Sequence, residues 1–218
     1  MEKPGGLPLC PECASQLPYN RPPWCVLCGY SLAGLGAGVD RCRDCLLRSP
    51  SFAFDRVTTP FHYDGSVRQL VWMLKYQARL SLAPPLAGSM AEAVREQLGA
   101  VQFDLCIPVP LHPTRLRERS FNQAERLGRA LAQQLRLPFR ANLLIRQRAT
   151  LPQIDLPRQM RQLNLQEAFS TNLPASVQGS RILLVDDIFT TGSTVGACAQ
   201  ALKEAGAARV VVTAIAHG

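Results

Sequence analysis

Long apolar runs, aromatic residues and histidines are all scarce in this chain of 218 residues, and each scarcity narrows the reading. No apolar stretch is long enough to cross a bilayer, so no membrane insertion is expected. The opening MEKPGGLPLC lacks a charged segment followed by an apolar core, which argues against a secretory leader and for a cytoplasmic location. Aromatic residues are 6% of the chain, little sign of a dedicated base-stacking platform. Of the three histidines, His62 and His217 stand isolated, and His112 has no evident partner. With 47% hydrophobic residues, the chain can nevertheless bury a full core.

Cysteine is plentiful and lopsided. Six of the eight cysteines precede residue 46, in three C-x-x-C pairs: Cys10 and Cys13, Cys25 and Cys28, Cys42 and Cys45. In a reducing compartment such pairs read as zinc ligands, with a disulfide framework as the competing reading. Cys25, Cys28, Cys42 and Cys45 have zinc-ribbon spacing, and Gly29 relaxes the turn after the first knuckle. Four thiolates leave no open coordination position, so this Zn2+ would be structural. Cys10 and Cys13 are then left over: they join a second site whose partner pair is missing from the chain, contend for the first zinc, or stay free. The expected division is a zinc-ribbon module over residues 1–50 and a globular domain over residues 51–218.

The globular part centres on RILLVDDIFTTGST, from Arg181 to Thr194. Ile182 to Val185 read as a strand buried on both faces, as in a parallel sheet. Asp186 and Asp187 follow where the strand emerges, and Thr190, Thr191, Gly192, Ser193 and Thr194 lead into a helical pattern. Free N–H groups at a helix start favour a phosphate, and glycine permits close approach. The carboxylates would repel that phosphate and suit the vicinal hydroxyls of its ribose. No Lys follows the glycine, which excludes a Walker loop. Four apolar residues, two acids and this loop resemble the signature of type I phosphoribosyltransferases, which bind phosphoribosyl pyrophosphate with Mg2+.

Around this motif the pattern is α/β. Phe52 to Tyr63 reads as a strand or hairpin interrupted by Pro60. Val67, Leu70, Val71 and Leu74 form one face of a helix, with Trp72 off that stripe and read as core or interface packing. A second helix spans Leu86 to Leu98, and DLCIPV from Asp104 to Val109 is a short strand. A helix opens near Asn122, capped by Ser120 or Asn122, and RVVVTAIA from Arg209 to Ala216 is the last buried strand. Cys106 and Cys198 read as core residues.

Lysine is missing where positive charge is densest. From Arg115 to Arg161 there are eleven arginines, no lysine and three acids, an excess of eight that equals the whole chain's +8. Arg115, Arg117 and Arg119, in a basic loop after a strand end, suit bidentate capture of a pyrophosphate. Eleven arginines exceed the need of one small ligand, so a nucleic-acid surface and a solvated basic face stay open as readings.

Pro108-Val109-Pro110-Leu111-His112, Arg117-Glu118-Arg119 and Phe121-Asn122-Gln123 resemble the second signature of the ComF competence-protein family. Leu74-Lys75-Tyr76 match its early helix, and Arg148, Thr150, Gln153, Arg161, Asn164, Ala168 and Phe169 its intervening segment. The resemblance implies a parallel-sheet, type I phosphoribosyltransferase-like domain preceded by a small four-cysteine zinc ribbon, with Mg2+ and phosphoribosyl pyrophosphate as ligands and an unnamed acceptor. It implies a role in natural competence, handling incoming single-stranded DNA beside the competence helicase machinery. Two departures stand out: Ser120 replaces the family's usual Gly, and a further C-x-x-C pair often precedes the one at Cys10 and Cys13. Residues Arg146 to Phe169 read as a long loop that closes over the site. A catalytic transferase and a non-catalytic single-stranded nucleic-acid-binding accessory protein remain the two readings.

Overall fold

The structure, a computed structural model, describes residues 6–36, 38–47, 52–146 and 168–218. In chain order its strands are β1 (Arg56–Thr58), β2 (Phe61–His62), β3 (Leu105–Pro108), β4 (Leu144–Arg146), β5 (Phe169–Thr171), β6 (Arg181–Val185), β7 (Ile188–Phe189), β8 (Arg209–Thr213) and β9 (Ala216–His217). The helices are α1 (Pro11–Ser15), α2 (Arg43–Leu46), α3 (Gly65–Tyr76), α4 (Ala83–Leu98), α5 (Pro113–Arg119), α6 (Gln123–Leu135) and α7 (Ser193–Glu204). The loop expected over Arg146 to Phe169, with Arg148, Thr150, Gln153, Arg161 and Asn164, falls almost wholly outside the described residues.

A four-stranded parallel sheet in the order β1-β8-β6-β3 forms the centre. Successive side chains along a strand point to opposite faces, so each apolar run serves two cores. Leu183, Val185, Cys106 and Val211 pack with Val67, Leu70, Val71 and Leu74 of α3, with α4 residues such as Met90, and with Leu127 and Leu131 of α6. Ile182, Leu184, Val210 and Val212 pack on the other face with Val195, Cys198 and Leu202 of α7. Cys106 and Cys198 are fully buried, and burial pushes the Cys106 thiol up to about 12.

Two chain segments break where they pass from one sheet to the next. The stretch from Phe52 to Tyr63 is the expected strand interrupted at Pro60 and not a hairpin, whereas Arg209 to Ala216 is not the one strand expected: each continues into a second sheet. This small parallel sheet, β2-β9-β7, repeats the order β1-β8-β6 of the same three segments. Pro60, which has no N–H to donate, interrupts the first segment. At the break the backbone stays paired: Asp186 N–H donates to the Thr213 carbonyl at 3.0 Å, Ala214 N–H to Thr58 at 3.1 Å, and Ile215 N–H to Asp187 at 3.0 Å. Asp186 and Asp187 are the two residues that link β6 to β7.

The cysteine-rich segment packs directly on the sheet. Cys25, Cys28, Cys45 and Leu32 share a buried cluster with Phe54, Val57 and Ile182. Val57 N–H donates to the Leu27 carbonyl at 2.9 Å, and the Asn20 side-chain amide donates to the carbonyls of Gly29 at 2.7 Å and Thr59 at 3.1 Å. Gly29 is needed twice over: its φ is +69°, and a Cβ there would run into the Val57 carbonyl oxygen. Gly29→Ala should therefore lower stability by about 2–4 kcal/mol, from a left-handed backbone and forced separation of knuckle and strand. Urea denaturation tests this, and an unchanged midpoint would show that the knuckle does not rest on β1.

Candidate functional site

The helix that begins at Ser193 is capped by Gly192, which has φ +76° and ψ 3°. Its Cβ position lies 2.6 Å from Phe52 Cε1 and 3.1 Å from Phe189 Cζ, so only glycine fits between these rings and the turn. The first N–H groups of α7 have no helical carbonyl ahead of them. Thr190 and Thr191 are exposed, Ser193 and Thr194 half-buried, and the Thr191 and Ser193 hydroxyls lie 2.9 Å apart. Donors and the positive end of a 12-residue helix thus converge on one spot beside the Asp pair.

The two carboxylates differ sharply. Asp187 is 5% exposed, and both its oxygens are engaged within the protein: Oδ1 pairs with Lys75 Nζ at 2.9 Å, and Oδ2 accepts from Gln123 Nε2 at 2.7 Å. Asp186 is half-buried, and its Oδ1 accepts from the Asp187 N–H at 2.8 Å. Burial raises the proton affinity of Asp186 above the usual carboxylate range, and the charge of Asp187 adds to the shift; Lys75 and the Asp187 N–H oppose it. One acid is therefore held by a cation and an amide, while its neighbour accepts from the Asp187 backbone.

Arg115, Arg117 and Arg119 lie on a helix, which corrects the expected basic loop. Pro113 suits the first turn of α5, His112 Nδ1 accepts the Thr114 N–H at 3.2 Å, and Ser120 closes the helix in the left-handed region at φ +65°. The cap role supplies the partner that His112 lacked in the sequence. It also explains the family's preference for Gly at Ser120, where a Cβ is strained. On a helix, residues two apart point to nearly opposite sides, so the arginines do not form one cluster. Arg115 and Arg117 are exposed, whereas Arg119 turns to Tyr76. Asn122, not Ser120, caps α6: its Oδ1 accepts from Ala124 N–H at 3.0 Å and its Nδ2 donates to the Val109 carbonyl at 2.9 Å.

His62 and His217 are not isolated either. Tyr30, just past the Cys28 knuckle, meets His62 at 5.2 Å and His217 at 5.0 Å between ring centroids, and Phe189 meets His217 at 4.9 Å. Burial pushes His217 down to about 4, so this ring is neutral.

Sγ atoms of Cys25, Cys28, Cys42 and Cys45 all lie within 4.8 Å of one another, with Cys28 and Cys42 at 3.6 Å. A tetrahedron with zinc–sulfur bonds of about 2.3 Å has edges of ~3.8 Å, so the donor set fits Zn2+. The contact between Cys28 and Cys25 pushes Cys25 down to about 4 and raises Cys28, and burial raises Cys45, so the thiols resist ionising together; a dication would reverse that balance. Cys10 and Cys13 are exposed on either side of the α1 start, with the Cys13 N–H donating to Cys10 Sγ at 3.4 Å, and they are not among the four gathered thiols.

The family description "Phosphoribosyl transferase domain" matches residues 122–217, a span that holds the Asp pair, the glycine-capped helix and Gln123. The chain is 34% identical over 207 residues to the DNA utilization protein YhgH of Salmonella typhimurium, covering 94% of this chain and 88% of that relative. It is 31% identical over 213 residues to Competence protein F of Haemophilus influenzae, covering 96% and 90%. The chain belongs to the ComF family. Among solved structures, a glutamine phosphoribosylpyrophosphate amidotransferase from B. subtilis superposes with a TM-score of 0.43 at 22% identity, over 65% of this chain and 30% of that one.

For this ComF member, sequence reasoning missed Lys75 and Gln123 as partners of Asp187. The family resemblance included both residues, but a lone Lys on a helix has no spacing that announces a carboxylate 112 positions away. Lys75→Met should cost about 2–4 kcal/mol by leaving Asp187 uncompensated, and pairing it with Asp187→Asn should cost clearly less than the two single losses together. A double-mutant cycle in urea checks this; strict additivity would mean that the pair carries no coupling.

Proposed function

We propose that this ComF protein binds phosphoribosyl pyrophosphate with Mg2+ and works in natural competence, where incoming single-stranded DNA is handled. The observation that carries the ligand assignment is the pairing of a glycine-capped helix start with two carboxylates at the break between β6 and β7. Open parallel sheets bind ligands at the carboxyl ends of their strands, and these residues lie at that end. The names of the relatives, DNA utilization protein and Competence protein F, support the cellular role.

In this reading the N–H groups of α7 with the Thr191 and Ser193 hydroxyls hold the 5-phosphate. Asp186 orients the ribose hydroxyls with Asp187 fixed behind it by Lys75 and Gln123, and the exposed Arg115 or Arg117 of α5 reaches the diphosphate. Mg2+ is bound through few protein carboxylates and through ligand phosphates, which fits a site where only Asp186 keeps an oxygen free of Lys75 and Gln123. Bound there, it supplies charge neutralisation of the diphosphate. Transfer would displace pyrophosphate from the ribose C1 with oxocarbenium character, a step served by positioning and charge stabilisation. The four gathered cysteines would hold Zn2+ as a structural ion.

Calorimetric titration of the zinc-loaded protein with phosphoribosyl pyrophosphate, with and without Mg2+, tests the reading. Binding should require Mg2+ and vanish in the Asp186→Asn, Asp187→Asn double variant while circular dichroism confirms its fold. Absence of binding to the wild-type protein would leave a phosphoribosyltransferase-like fold without this ligand and would shift the weight to nucleic acid.

A further inference from the structure

Trp72 and Tyr76 stand one helical turn apart on α3, 50% and 62% exposed, with ring centroids 6.2 Å apart. Trp72 is not core packing: the buried stripe of α3 is Val67, Leu70, Val71 and Leu74, and the two large rings lie off it. The Arg119 guanidinium covers the Tyr76 ring at 5.0 Å, and its Nη2 donates to the Tyr76 hydroxyl oxygen at 3.4 Å. α3 and α5 thus meet at a patch of aromatic planes and a stacked cation.

The charge around the patch has one sign. From Gly65 to Leu82 there are Arg68, Lys75 and Arg79 and no acid, and α5 adds Arg115, Arg117 and Arg119 against Glu118. Lys75, three residues after Trp72, reaches Asp187, so the patch flanks the proposed phosphoribosyl site. Exposed rings bordered by cations suit a ligand with flat apolar faces strung on an anionic backbone. Unpaired nucleic acid has that chemistry, and base stacking on such rings tolerates any sequence. An apolar peptide groove would not need the surrounding arginines.

We propose that Trp72 and Tyr76 form a stacking surface for an unpaired base of single-stranded nucleic acid, with Arg119 beside them on its phosphates. This inference rests on the nucleic-acid part of the reading above and is independent of whether phosphoribosyl pyrophosphate binds. It also reverses the expectation drawn from the low aromatic content: the rings are few, but two of them are exposed side by side.

Tryptophan emission provides the test, because the chain has two tryptophans, Trp24 and Trp72. Oligothymidylate added to the full zinc-loaded protein should quench emission, and Trp72→Leu should abolish the quench while Trp24 still emits. In the Trp72→Leu, Tyr76→Leu double variant, affinity for oligothymidylate should fall about fivefold to hundredfold, the range expected for losing a stacked base. An abasic oligomer of equal length should bind wild type and double variant alike. Calorimetry with phosphoribosyl pyrophosphate on the same variants separates a failure of the small-ligand reading from a failure of this one. Unchanged oligothymidylate affinity in a folded double variant would overturn the proposal. So would a change in sedimentation behaviour with no change in affinity, which would assign the patch to a protein interface.

Discussion

A carboxylate buried at the end of a parallel strand has to be neutralised where it stands, and Asp187 is neutralised from two directions. Lys75 comes from α3 and Gln123 from α6, so one side chain at the end of β6 ties two helices on the same face of the sheet to the strand end. Removing charge from water is costly unless ion pairing and hydrogen bonds compensate it, which makes the joint position of these three elements interdependent. Its neighbour Asp186 is left with raised proton affinity and a less crowded carboxyl group. The pair is therefore asymmetric: Asp187 ties two helices to the strand end, and Asp186 takes its hydrogen bond from the Asp187 backbone.

The other side of the sheet reaches the same place through aromatic contacts. Tyr30 leans on His62 and His217, His217 on Phe189, and Phe189 on Phe52 and Phe54. Phe52 and Phe189 in turn leave Gly192 no room for a side chain. Rings in tilted and edge-on contact resist sliding, so the cysteine knuckle and the turn that opens α7 are packed as one assembly. The residues that gather four thiols and those of the glycine turn that opens α7 share a core.

Legibility in the sequence followed the range of the interaction. The run Ile182 to Val185, the two acids and the glycine turn are contiguous, and their order alone specifies a buried strand, a charged strand end and a helix start. The C-x-x-C pairs are similarly local, and their four-fold gathering at Cys25, Cys28, Cys42 and Cys45 matches the spacing. Helix α5 was missed because its start and stop depend on His112 as a cap and Ser120 in a left-handed backbone, neither of which is a common signal. The break between β1 and β2 was marked by Pro60, whereas the break between β8 and β9 was missed because an apolar run has no mark where it changes sheets.

By itself the sequence determined the α/β character, the phosphoribosyltransferase-like strand-turn-helix and the ComF kinship, since each rests on residue order within a few positions. Tertiary structure alone decided that Lys75 and Gln123 compensate Asp187, that His62 and His217 meet under Tyr30, and that Trp72 faces outward beside Tyr76. Those outcomes depend on which faces of distant segments come together, and pairing across a sheet is set by the packing of whole elements rather than by any one stretch of chain.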